Sequence, residues 1–288
     1  MVDGKSLKER TRRDYLAMVA DGAEGRAPGL LHPLAKKSLS RITGDDVRRL
    51  HRGLEARGQR QQGYGMQVLR AVLRWHGVSI PGDPFSKATA GARRVFIAPT
   101  KGNPSPIPAE RLGDWWKAAS ASAAASAASA RKDKHAGADQ LRFQLLTGVR
   151  PGEAAGLTVG DFDLRGRRLT LKDPKNRRRH TIYLSEQAAA IMFWHAEGRV
   201  PGDRIFGVRD PQKVLDLINA AAGVDRITPH DLRATFATIA DGITTAAVCR
   251  ALLNHAAGDV AQVHYIGVSE TRLREAWQAV ADFIETAV

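Results

Sequence analysis

Three short stretches in the second half of this 288-residue chain combine residue types suited to phosphate chemistry. They are TGVRPGE (Thr147 to Glu153), HDLR (His230 to Arg233) and LLNH (Leu252 to His255), with Tyr265 ten residues beyond the last histidine. Attack on a phosphodiester builds negative charge on its non-bridging oxygens, and a planar guanidinium can meet two such oxygens at once. Arg150 and Arg233 are the candidates for that task. A tyrosine hydroxyl titrates at about 10, so as a nucleophile at neutral pH it needs a base or cationic surroundings. His230 is a candidate base. The sequence contains no Walker-type phosphate loop and no obvious metal-ligand cluster, so neither cofactor nor metal is expected. Cys249 stands alone, which excludes a disulfide framework and a thiolate zinc site.

The elements that must position these residues follow from local patterns. In ITPHDLRATFATIA, Thr228 can cap a helix, Pro229 can take its first position and Asp231 can complete the start. His230 and Arg233 then stand at i and i+3 on one face, beside a partly positive helix end. Leu141 to Leu146 reads as helix, the turn Thr147-Gly148-Val149 follows, and Pro151 suits the first turn of a further helix, which places Arg150 at the junction. From Asp161 to Leu184 the apolar period becomes two, with turns at Gly166 and at Lys172 to Arg179, predicting a small antiparallel meander. Ala118 to Ala130 is almost pure Ala and Ser and reads as an exposed helical extension or a loose loop. Leu273, Trp277, Val280 and Ile284 mark an amphipathic C-terminal helix.

Towards the N-terminus the pattern is one of short helices, at Leu7 to Val19, at Ile42 to Leu54 starting on Thr43, and at Gln67 to Trp75, where Arg70 and Arg74 alternate with an apolar face. Prolines then cluster between Pro81 and Pro108 and helical periodicity lapses. The division expected is a helical domain over residues 1–98, a linker over 99–108 and a second domain over 109–288. The fold class expected is mainly α with one small antiparallel sheet. Lys and Arg number 44 against 30 Asp and Glu, a net charge of +14, which favours a polyanionic partner. Residues 1–98 hold nineteen of those cations against nine of the anions, so the N-terminal third is the better candidate for a clamp on phosphates. No apolar run approaches the roughly 20 residues of a membrane span and the charged N-terminus contains no signal-peptide core, so a cytoplasmic, nucleoid-associated protein is expected.

The order of TGVRPGE, HDLR, LLNH and Tyr265, with a sheet between the first two, resembles the catalytic domain of the tyrosine recombinases, or phage integrases, over residues 107–288. The resemblance implies six side chains around one scissile phosphate: Arg150, Lys175, His230, Arg233, His255 and the nucleophile Tyr265. It assigns His255 to hydrogen-bonding the phosphate, and assigns protonation of the departing 5′ oxygen to a lysine of the β-turn. In LKDPKNRRRH that lysine is Lys175 or Lys172, with Lys175 the better match; Glu153 is implied to orient Arg150. Arg177, Arg178 and Arg179 face DNA or are a solvated run. Asn254 departs from the Gly that many relatives carry before the histidine.

The helical N-terminal region looks like the family's core-binding domain, paired with a mixed α/β catalytic domain. Too few residues precede Leu7 for the arm-type DNA-binding domain of many phage integrases, so the member either lacks one or was trimmed of it. What the resemblance implies is a site-specific enzyme for DNA recombination, cleaving and rejoining strands through a covalent 3′-phosphotyrosine, for DNA integration or excision of a phage or other mobile element. Double-stranded DNA is the implied partner, bound by a homotetramer, with an accessory DNA-bending protein as a further candidate. The alternatives are a type IB topoisomerase and a non-catalytic DNA-binding relative. The C-terminal helix either docks on a neighbouring protomer or packs on its own domain.

Overall fold

The computed structural model describes residues 6–89, 91, 94–97, 104–128, 135–174, 178–255 and 268–287. The chain divides into two units, Met1–Gly102 and Asn103–Val288. In the first, helices α1 (Glu9–Ala17), α2 (Gly44–Gly53) and α3 (Gln59–Trp75) surround a core that includes Val47, Met66 and Leu69. Thr43 caps α2, its hydroxyl accepting from the Asp46 N–H while the Asp46 carboxylate accepts from the Thr43 N–H. Helix α3 begins eight residues earlier than the apolar pattern indicates. Its first two turns contain Gly63 and Gly65, which lower helix propensity but let the helix approach its neighbours: a Cβ at Gly65 would stand 3.2 Å from Leu54 and 3.3 Å from Leu30.

The second unit is built on helix α5 (His135–Thr147), buried on nearly every side from Ala136 to Val149. Helix α4 (Leu112–Ala127) packs beside it. The Ala/Ser run is therefore helix rather than a loose loop, exposed over much of its outer side and buried at two positions. Ala119 and Ala123 are buried, because small side chains let two helices come close. After α5 come the short α6 (Pro151–Ala154) and a meander of strands β1 (Phe162–Asp163), β2 (Arg168–Leu171) and β3 (His180–Tyr183), in the order β1-β2-β3 and antiparallel throughout. Its register pairs Leu169 with Ile182, and these two apolar side chains enter the core while their neighbours face outward. Helices α7 (Glu186–Ala196), α8 (Gln212–Ala221), α9 (Pro229–Ile243), α10 (Ala246–Leu252) and α11 (Glu270–Thr286) complete the unit.

Helix α11 packs on its own unit against α4, α5, α7, α9 and α10, burying Trp277, Val280 and Ile284. The Trp277 indole N–H donates to the Thr147 carbonyl oxygen at 3.3 Å, at the end of the helix that leads into TGVR. Arg274 of α11 lies over the Tyr183 ring, which fixes the sheet against the same helix. The fold is thus mainly α with one three-stranded antiparallel sheet. No helix among the described residues is long and apolar enough to cross a membrane.

Candidate active site

Arg150, His230, Arg233 and His255 line one cavity of about 480 Å³, with Pro104 and Pro106 on its wall. They come from three places: the α5–α6 junction, the first turns of α9, and the turn that ends α10. Lys175 and Tyr265 lie outside the described residues, as does Arg177.

Gly148 makes the first junction possible. Its φ of 68° is in the left-handed region, and a Cβ there would sit 2.5 Å from Phe236 Cδ1. The turn sends the chain into Arg150, whose backbone N–H donates to one carboxylate oxygen of Glu153 at 3.2 Å and whose guanidinium donates to the other at 3.1 Å. Glu153 thus holds Arg150 from both ends, as the resemblance implies.

At the second place, Asp231 accepts from the Thr228 N–H and hydroxyl, both at 2.7 Å, and starts α9 with Pro229 at its first position. Burial pushes the Asp231 carboxyl up, but the hydrogen bonds from Thr228 and from the Ser105 N–H outweigh this and hold it below the usual carboxylate range. The Ser105 bond, at 3.0 Å, and a second from the Ile107 N–H to the Thr235 hydroxyl lay residues 105–107 against α9 beside the cavity. His230 is exposed; Arg233, one turn on, is only 8% exposed. The Arg233 guanidinium donates to the carbonyl oxygens of Gly148 and Leu253, the latter at 2.6 Å, and to His255 Nε2 at 3.3 Å. Burial, and next the charge of Arg150, lower its pKa to about 10, so it stays charged at neutral pH in a region short of negative charge. A phosphate placed there would meet fixed cations without their having to reorganise.

The third place is set by the end of α10. Asn254 has φ of 49°, its N–H donates to Ala251 O, and the His255 N–H donates to Arg250 O. These two bonds around a left-handed residue are the glycine-type helix stop, with Asn in the position that Gly otherwise fills. The departure from Gly therefore preserves the backbone geometry. His255 emerges from this stop; burial, then Arg233 and Arg150, lower its pKa.

One neighbour of the site carries no mark in the sequence. His180, at the start of β3, donates from Nε2 to the Leu252 carbonyl oxygen at 3.1 Å. Burial drives its pKa down to about 4, against the raising effect of that bond, so the ring is neutral at pH 7. Its place in an alternating strand offers no signal, since the contact is to an atom 72 residues away. Asp161, in a separate groove that Glu153 also lines, pairs with Lys172 at 3.1 Å and accepts from Thr158 as well.

The family model for the phage integrase family matches residues 118–272, more than half of the chain. The chain is 30% identical over 151 residues to tyrosine recombinase XerC of Corynebacterium efficiens, covering 48% of each protein. It is 26% identical over 101 residues to tyrosine recombinase XerA of Saccharolobus solfataricus, covering 34% of each. The chain thus spans half or less of the length of these two relatives. Among solved structures, the Tn1549 transposon integrase in complex with circular intermediate DNA superposes with a TM-score of 0.54 at 13% identity, covering 94% of each chain. A lambda integrase dimer bound to a core site gives 0.55 at 14% identity, covering 92% of this chain and 93% of that one. These two likenesses establish the fold. The match over residues 118–272, more than half of the chain, places the protein in the phage integrase family of tyrosine recombinases.

Proposed function

We propose that this chain cuts and rejoins double-stranded DNA as a site-specific recombinase, through a 3′-phosphotyrosine intermediate on Tyr265. The observation that carries the reading is the convergence of Arg150, His230, Arg233 and His255 on one cavity from three separate stretches of sequence. The two guanidiniums and His255 hold the non-bridging oxygens of the scissile phosphate. His230 takes the phenolic proton as the Tyr265 oxygen bonds to phosphorus. The bond to the 5′ oxygen breaks and that oxygen is protonated by Lys175, leaving a free 5′ hydroxyl. Attack by the hydroxyl of another strand reverses the step, so the bond energy held in the phosphotyrosine is returned and no ATP is consumed.

Lys175 is favoured over Lys172 because Lys172 is engaged with Asp161. Residues 1–98 serve as the core-type DNA-binding domain, supported by their excess of cations and by Arg70 and Arg74 lining one cavity of that unit. Residues 99–108 act as the linker and 109–288 as the catalytic domain. The working form on DNA is a homotetramer, and the setting is integration or excision of a mobile element, with an accessory DNA-bending protein as a further partner.

The test incubates wild-type and Tyr265→Phe protein with nicked suicide duplexes from a candidate attachment region and resolves the products on a denaturing gel. A covalent adduct in wild type alone supports the reading. Binding of a proven cognate site without an adduct overturns it in favour of a non-catalytic relative, and relaxation of plasmids without site preference in favour of a topoisomerase.

A further inference from the structure

The returning limb of the β2–β3 hairpin is tied to the LLNH turn at two points. The Asn254 side-chain amide donates to the Arg178 carbonyl oxygen at 3.0 Å, and the His180 ring donates to the Leu252 carbonyl oxygen at 3.1 Å. One partner of each pair sits at the foot of the hairpin, and the other in the turn that presents His255. Leu253, between those two turn residues, gives its carbonyl oxygen to Arg233. Three consecutive residues of LLNH are thus bonded outward, two to the hairpin and one to the buried guanidinium.

A glycine at 254 would supply the left-handed backbone with less strain than Asn, yet it would have no amide to offer Arg178. Asn254 therefore adds something that the helix stop does not itself require. Arg178 follows Lys175 by three residues along the chain, so the bond from Asn254 is made close in sequence to the candidate proton donor.

We propose that Asn254, seconded by His180, is a positioning residue: it holds the hairpin to the phosphate-binding turn so that proton donation to the leaving 5′ oxygen is in register with the scissile phosphate. This rests on the mechanism proposed above. The strap works through the lysine and touches no reacting atom.

The distinguishing measurement compares two duplexes that differ only at the scissile phosphate, one with the natural bridging 5′ oxygen and one with sulfur there. An alkoxide must be protonated to leave, whereas a thiolate leaves unprotonated because a thiol titrates at about 8.5. Single-turnover adduct formation is measured for wild type, Asn254→Gly and Asn254→Asp. Both variants are expected to cleave the oxygen duplex about tenfold more slowly, the effect of one lost hydrogen bond, and to match wild type on the sulfur duplex. The glycine variant keeps the left-handed turn, so a folding defect is not built into the test. Equal slowing on both duplexes overturns the proposal, since the strap would then serve phosphate binding or general stability. Unchanged cleavage of the oxygen duplex overturns it too. Failure of the wild-type chain to form an adduct on either duplex instead removes the underlying mechanism.

Discussion

The Arg233 guanidinium donates to the carbonyl oxygen of Gly148, 85 residues earlier, and so joins the HDLR helix to the TGVR turn through a side chain that is itself buried. This bond explains why a cation sits in the interior: carbonyl oxygens of Gly148 and Leu253 replace part of its lost hydration. Two residues that belong to separate motifs in the sequence are therefore one structural unit.

Arg233→Lys is expected to abolish detectable adduct while also lowering stability. An ammonium cannot span two carbonyl oxygens and a phosphate with a planar fork, and loss of one such transition-state donor costs about 3 kcal/mol, or more than a hundredfold in rate. Single-turnover cleavage and urea unfolding of the same preparation check both effects. Cleavage within tenfold of wild type would remove Arg233 from the proposed role.

Gly148→Ala should destabilise the protein by about 2 kcal/mol or more, since it combines a positive φ with a clash against Phe236. Chemical denaturation with a midpoint shift at constant slope is the readout.

The two lysines of the hairpin are separable. Lys172→Ala is expected to leave adduct formation within about twofold, because the Lys172 side chain is itself mostly exposed and engaged with Asp161, and such an ion pair contributes little. Lys175→Ala should slow it by about a hundredfold or more on an oxygen leaving group and far less on a sulfur one. The reverse ranking would transfer the proton donor to Lys172.

Acid sensitivity follows from His180. Its folded pKa is lowered from 6.5 to about 4, so between those values the unfolded chain binds a proton that the folded chain refuses. Stability from this group is complete above pH 6.5 and is lost as pH falls towards 4, with a total on the order of 3 kcal/mol. His255 shifts in the same direction. Thermal unfolding from pH 4 to 7 should show a shallower dependence in His180→Gln, where the amide can still donate to Leu252 but does not titrate; an unchanged slope would refute the assignment.

Much of the site is legible in the sequence. The cap at Thr228, Pro229 and Asp231, the i, i+3 pair of His230 and Arg233, and the Arg150 junction all depend on contacts within a few residues, which chain chemistry encodes locally. The meander is equally readable, because alternation follows from the pleat. The burial of Ala119 and Ala123 within the Ala/Ser helix is not legible in the same way, because it depends on which helix lies against them and an alanine carries no sign of its neighbour. The apolar pattern places the start of α3 too late because glycine lowers helix propensity while tertiary packing rewards its small size.

By itself, then, the sequence determined the residue types, the helix starts, the strand alternation and the excess of positive charge, all of which arise from local backbone and solvation chemistry. Only the tertiary structure decided that Arg150, His230, Arg233 and His255 share a cavity, that Asn254 meets a left-handed backbone requirement, and that His180 reaches Leu252. Those outcomes join atoms far apart along the chain, and they exist only once burial of Trp277 and the α5 core has brought the elements together.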